Sequence, residues 1–133
     1  MSAVTAKELA ESLYAALGSG DVSTLRALLT EDFHGELTPH LPWDLGRRPY
    51  LGPDSMIRDA WGKVAAELEV LPQVESTHDL DDGVLVLGTY VGRSRRTGAP
   101  LQAWFAHVWT VRGSQFARLR QITDTAAWQA AAQ

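Results

Sequence analysis

The second half of the chain is cut at regular intervals by turn dipeptides, and this spacing constrains the fold more than any other feature. From residue 73 the hydrophobic period is two. Asp82-Gly83 is a strong two-residue hairpin signal, Thr97-Gly98 marks a second turn and Gly113-Ser114 a third. The pattern predicts four consecutive strands, at about 73–81, 84–95, 100–112 and 115–124, forming an antiparallel meander. A short Ala-rich tail with Trp128 closes the chain over 125–133.

The first half reads as helices. Residues 5–18 carry Leu9, Leu13 and Leu17 at helical spacing, with Thr5 and Glu8 as a capping box and Gly18 and Gly20 as the stop. Asp21 caps a second helix whose buried stripe is Val22, Leu25, Leu28 and Leu29. A short strand covers Phe33 to Leu37. Residues 38–53 form a loop punctuated by Pro39, Pro42, Gly46, Pro49, Gly52 and Pro53. A loop of that length bearing Trp43 and Tyr50 is packed or functional rather than idle. Asp54 caps a third helix to about Leu68, with Ile57, Trp61, Val64 and Leu68 facing inward. Helices followed by a meander give an α+β order, and 133 residues without repeat or linker give one domain spanning 1–133.

Turns fix register, and register fixes faces. Placing Val111 opposite Phe116 sets Trp109 against Arg118, His107 against Arg120, Phe105 against Ile122 and Ala103 against Asp124. The second turn sets Tyr90 opposite Phe105 and Gly88 opposite His107. Phe105, His107, Trp109, Arg118, Arg120, Ile122, Asp124, Val86, Gly88 and Tyr90 then share one face. Trp104, Ala106, Val108, Thr110, Leu119 and Gln121 form the other. Because both faces are apolar, helices should cover one and a second subunit the other, so a homodimer is expected.

Composition removes several classes of function. The net charge of −4 argues against a nucleic-acid partner, and Arg93, Arg95 and Arg96 read as a solvated hairpin end. No cysteine is present, which excludes disulfides and thiolate chemistry and fits a cytoplasmic setting. No apolar run approaches the roughly 20 residues of a membrane span, and no signal peptide is visible. His34, His40 and His78 lack metal-ligand spacing, so no metal is expected. With no phosphate-binding glycine motif, no cofactor is implied.

Several segments resemble the SnoaL-like branch of the NTF2-like superfamily. Gly20-Asp21 followed by Leu25, Leu28 and Asp32 is similar to its first helical hairpin. The stretch FAHVWTVRGSQFARLRQITDT, Phe105 to Thr125, is similar to its last β-hairpin, and Gly46-Arg47 with Gly52-Pro53 fits the loop before the third helix. The resemblance implies a cone: N-terminal helices packed on a curved antiparallel sheet around one pocket for a small hydrophobic molecule. In the polyketide cyclases of the family an Asp ending the last strand acts as acid/base with a His nearby, which implies Asp124 and His107 as the catalytic pair. Against the ketosteroid isomerases, the tyrosine proton donor falls on Leu13, one residue from Tyr14, and the base carboxylate near Leu37, one residue from Glu36. An epoxide hydrolase would need an Asp–Arg–Asp network, for which Arg120, Asp124 and Asp79 are the available groups.

An Asp and a His on one lined face could abstract a proton alpha to a carbonyl and hydrogen-bond the enolate oxygen. Arg120, Tyr90, Phe105, Trp109, Trp61 and Trp43 complete the expected binding site for a hydrophobic carbonyl compound. The bland alternatives are an Arg120–Asp124 ion pair filling the cone, Trp61 as core, and Trp43 as a packed loop residue. The competing functions are a cyclase- or isomerase-like acid/base enzyme, a non-catalytic binding or dimerisation module, and an epoxide hydrolase.

Overall fold

The computed structural model describes residues 4–133. Helix α1, Ala6–Ser19, begins at the predicted capping box and ends at Gly20, whose φ of 68° suits a residue without Cβ. Asp21 caps α2, Val22–Leu28, through the Thr24 amide. Only Leu25 of that helix is buried, and Val22 is exposed. Strand β1 then runs Leu29–Glu36, four residues earlier than expected, so Leu29 serves a strand and not a helix stripe.

The loop that follows is packed. Leu41, Leu45 and Tyr50 are buried, and Tyr50–Leu51 forms a two-residue strand, β2. The loop holds His40, Trp43 and Asp44 at positive φ, and Gly46 lies so close to Thr38 that a Cβ would sit 2.2 Å from the Thr38 carbonyl oxygen. Helix α3 spans residues 53–67 in three stretches, Pro53–Ser55, a π-helical Met56–Trp61, and Gly62–Glu67. Gly52 precedes it and Pro53 occupies its first turn, where the missing N–H costs nothing. The Gly62 amide bonds to Ile57 O, and a Cβ at Gly62 would stand 2.9 Å from that oxygen. Such π turns re-aim the side chains they carry; here they are Ala60 and Trp61, both on the cavity wall.

The four-strand meander forms, with β3 Leu68–Leu80, β4 Gly83–Ser94, β5 Pro100–Arg112 and β6 Gln115–Thr123, β3 beginning five residues earlier than expected so that Leu68 serves a strand and not the helix. The first turn residues are Asp81-Asp82, since Leu80 pairs with Gly83. The six-stranded sheet has the order β2-β1-β6-β5-β4-β3. It is mixed and not wholly antiparallel, because β1 lies parallel to β6. Helix α4, Thr125–Ala132, replaces the expected tail and packs on β5 and β4.

Register shifts interrupt β1–β6, β3–β4 and β5–β6. Extra residues bend and twist a sheet, which is how a flat meander curls into a cone. Gly88 and Gly92 serve the same curvature. A Cβ at Gly88 would meet Gln73 O at 2.3 Å and Phe105 Cζ at 2.6 Å, and one at Gly92 would meet Glu69 O at 2.0 Å. The helices cover the concave face, where Leu13, Phe33, Met56, Phe105, Trp109 and Phe116 are fully buried.

Candidate functional site

A cavity of about 790 Å³ opens into the cone between the end of α1, the second half of α3 and the first residues of β3. Its walls are mainly apolar: Leu17, Leu41, Leu45, Val64, Leu68 and Leu119. Leu41 and Leu45 come from the long loop, which is how that loop contributes. Trp61 lines the wall and packs on Trp109, ring centroids 6.5 Å apart. Among the described residues, the sole carboxylate in the lining is Glu69, exposed and paired with Arg93 at 3.3 Å.

The polar groups gather on the sheet side. Alternation on β4 and β5 points Val86, Gly88 and Tyr90 the same way as Phe105, His107 and Trp109, as predicted from the turns. The pairs themselves are offset by two residues: Val86 faces His107, Gly88 faces Phe105 and Tyr90 faces Ala103. His107 is 4% exposed and is held on both nitrogens. Its Nδ1 lies 2.5 Å from Tyr14 Oη and its Nε2 lies 2.6 Å from Tyr90 Oη. Trp109 Nε1–H donates to Tyr14 Oη at 3.0 Å, and Gln121 Nε2–H donates to Tyr90 Oη at 2.7 Å. Phe105 is stacked against the imidazole at 4.1 Å, beneath the network and outside the cavity lining.

No carboxylate touches this chain of groups. Burial alone pushes the His107 imidazole down to about 3, so it is neutral at ordinary pH. Burial likewise pushes both phenols, Tyr14 and Tyr90, well above their usual range. The site therefore holds hydroxyls and a neutral imidazole in a largely buried setting, where each hydrogen bond is stronger than in water.

Strand β6 is where the structure departs most from expectation. Val111 does pair with Phe116, but Thr110 pairs with Arg118, leaving Ala117 as an unpaired extra residue. A one-residue slip turns every later side chain to the other face. Trp109 consequently faces Leu119, His107 faces Gln121 and Phe105 faces Thr123. Leu119 and Gln121, expected outside, line the cavity. Arg118, Arg120 and Ile122, expected inside, are exposed. Arg118 pairs with Glu36 at 2.9 Å.

Asp124 is the second correction. It ends β6 as the N-cap of α4, its Oδ1 accepting from the Ala127 amide at 3.4 Å, and it is absent from the cavity wall. The structure thus brings together Tyr90, His107, Trp109 and Trp61, and separates them from Asp124 and Arg120. Asp79 is exposed on β3, so no Asp–Arg–Asp network assembles. Trp43 is half-buried in the loop and packs on the core without reaching the cavity. Among the described residues no cluster of three or more metal-ligating side chains occurs.

Two participants were missing from the expected site. Gln121 was hidden by the register slip; Thr38 Oγ1 pins its carbonyl at 2.8 Å and so fixes this part of β6. Tyr14 could have been found: it lies one helical turn after buried Ala10, beside Leu13 and Leu17, on the face of α1 that meets the sheet.

The SnoaL-like domain model matches residues 10–119. Among solved structures, an NTF2-like protein from Burkholderia thailandensis E264 superposes with a TM-score of 0.86 at 25% identity, covering 97% of this chain and 98% of its own. An NTF2-like protein from Burkholderia xenovorans LB400 gives 0.76 at 26% identity, over 100% of this chain and 99% of that one. A protein of ketosteroid isomerase-like fold from Catenulispora acidiphila gives 0.80 at 18% identity, over 96% and 94%. No curated protein matches the chain at a significant level.

Proposed function

The chain belongs to the SnoaL-like domain family, and from that premise we propose that it binds a hydrophobic carbonyl compound in its cone and polarises the carbonyl oxygen, as a cofactor-independent cyclase- or isomerase-like enzyme would. One observation carries this reading. An apolar cavity of about 790 Å³ has one group of linked polar side chains on its wall, buried His107 and Gln121 and half-buried Tyr90. A pocket built this way holds an apolar body by burial and fixes its orientation by a few convergent polar atoms.

The chemistry follows from the neutral charge state. A hydrogen bond aimed at a carbonyl oxygen in an apolar cavity stabilises the negative charge that develops there on enolisation. Tautomerisation of a carbonyl compound, or an aldol closure between two groups of one bound molecule, suits such a site. The alpha proton passes to water and returns to carbon or oxygen from water, so the protons balance, while the polar chain hydrogen-bonds the oxygen on which the charge develops. The Asp124–His107 acid/base pair is not part of this proposal.

Deuterium exchange at the alpha carbon of aryl ketones in heavy water tests it directly. The expected result is exchange accelerated by the wild-type protein and lost in Tyr90→Phe. The absence of a carboxylate beside His107 favours a second reading, a binding module without turnover; ketone binding with no exchange would select it. A homodimer also remains a proposal, supported by Trp104, Leu87 and Ile122, which are exposed on the outer sheet face.

A further inference from the structure

We infer that the hydrogen bonds linking Trp109, Tyr14, His107 and Tyr90 run in one direction, so that the cavity wall ends in a free donor and selects ligands bearing a bare acceptor oxygen. This deepens the reading of the cavity as a carbonyl site and rests on it.

Proton counting gives the direction. An indole N–H only donates, so Tyr14 Oη must accept from Trp109. A neutral imidazole has one N–H and one lone pair, so one tyrosine donates to His107 and the other receives from it. Suppose Nδ1 carried the hydrogen. Tyr14 would then accept from both Trp109 and His107, and its own hydroxyl hydrogen would have no acceptor, since its two hydrogen-bond partners are those two groups. Tyr14 does not line the cavity, so no ligand could supply one. A buried donor left unpaired is costly. The opposite arrangement leaves nothing stranded: Tyr14 donates to Nδ1, and Nε2–H donates to Tyr90.

The spare hydrogen therefore appears at the far end. Tyr90 Oη accepts from His107 and from Gln121, and its own hydrogen is free on the cavity side. Turning the Gln121 amide over would use up that hydrogen. Tyr90 would then donate to the Gln121 carbonyl oxygen, and the amide NH2 would take the buried position that has no partner, stranding two donors where one acceptor now stands. The flip is therefore disfavoured and the terminal donor is the Tyr90 hydroxyl. Tyr14 and Trp109 are positioning residues for this donor: they act through His107, Tyr14 two hydrogen bonds and Trp109 three from Tyr90.

Nitrogen-15 NMR of the histidine-labelled full chain reads the tautomer. The expected result is Nε2–H with a bare Nδ1 at His107. An Nδ1–H tautomer or an imidazolium at neutral pH overturns the inference. Binding is read with two probes of matched shape, 2-acetylnaphthalene and 2-isopropenylnaphthalene, the second lacking the oxygen. The ketone should bind roughly three- to tenfold tighter, the span a single net hydrogen bond supports. Equal binding of both overturns the inference but leaves the cavity reading standing. Failure of both to bind sinks the cavity reading itself, and the tautomer still decides the direction. In Tyr14→Phe the hydroxyl that fixes Nδ1 is gone. The tautomer should become mixed and the ketone preference should fall toward parity, with the hydrocarbon's affinity retained. A merely structural role for Tyr14 would weaken both probes alike.

Discussion

Tyr14 and His107 lie 93 positions apart in sequence, yet their rings are parallel within 5° and joined by a 2.5 Å hydrogen bond. The contact ties α1 to the centre of the sheet. Removing the hydroxyl in Tyr14→Phe strands the Trp109 indole N–H and the His107 Nδ1 lone pair together. Each stranded buried group costs about 1–3 kcal/mol, so the variant should lose at least about 2 kcal/mol. Urea unfolding would show this as a lower midpoint at unchanged slope. A midpoint equal to wild type would mean the network is not formed.

The buried imidazole sets a pH dependence whose sign is fixed. Burial lowers the folded-state value of His107 to about 3, against 6.5 for the exposed side chain. Between these values the unfolded chain binds a proton that the folded chain does not, so stability falls as pH drops from 6.5 toward 3 and is unaffected above that window. At about 1.4 kcal/mol per unit for one proton, the full loss is on the order of 5 kcal/mol. Asp32, held down to about 2 by its hydrogen bond to Arg112, also loses stabilisation on acidification, but only below its usual 3.8. The decline between pH 6.5 and 4.5 therefore belongs to His107 and should flatten in His107→Phe. Thermal unfolding across that range, with both proteins, decides it; an equally steep slope in the variant would assign the effect elsewhere.

Curvature gives another test. Gly88 leaves no room for a Cβ between Gln73 O and the Phe105 ring, and Phe105 in turn carries the His107 imidazole. Gly88→Ala must push backbone or ring aside, at a cost typical of overpacking, about 1–3 kcal/mol. The displaced Phe105 should also shift the ring resonances of His107 in an NMR spectrum. Wild-type stability in this variant would show that the strand is free to relax there.

What the sequence discloses is local and what it conceals is a single residue. Three turn dipeptides were enough to place Tyr90, Phe105, His107 and Trp109 on one face, because a two-residue error in pairing leaves that face unchanged. On β6 the error was one residue, and parity made it total: Arg120 went out and Gln121 came in. Ala117, the extra residue, has nothing in its chemistry to announce a bulge. The parallel pairing of β1 with β6 was equally silent, since it depends on contacts between strands about 80 positions apart. Tyr14 was visible as part of a helix face, but which face meets the sheet opposite His107 is a tertiary fact.

The outer sheet face makes the dimer testable. Trp104 is 52% exposed, with Leu87 and Ile122 also exposed on that side. If a second copy covers them, Trp104→Glu places a charge in an apolar contact and should yield monomers by sedimentation velocity, with the cavity and its ketone binding intact. A wild-type protein that is already monomeric at high concentration would dispose of the proposal.

Asp124 separates a cap from a catalyst. Its side chain accepts from the Ala127 amide at the start of α4, the role in which Asp and Asn are nearly interchangeable and Ala is not. Asp124→Ala should therefore cost about 1 kcal/mol, while Asp124→Asn should cost a few tenths at most. An acid/base residue behaves in the opposite way, because Asn keeps the shape and removes the proton chemistry. Ketone binding and alpha-carbon exchange measured on both variants distinguish the two. Asn retaining wild-type exchange, with Ala impaired only in stability, is the outcome that the capping geometry requires. Loss of exchange in Asp124→Asn at full stability would return the carboxylate to the chemistry and require it to reach His107 from a position the fold does not give it.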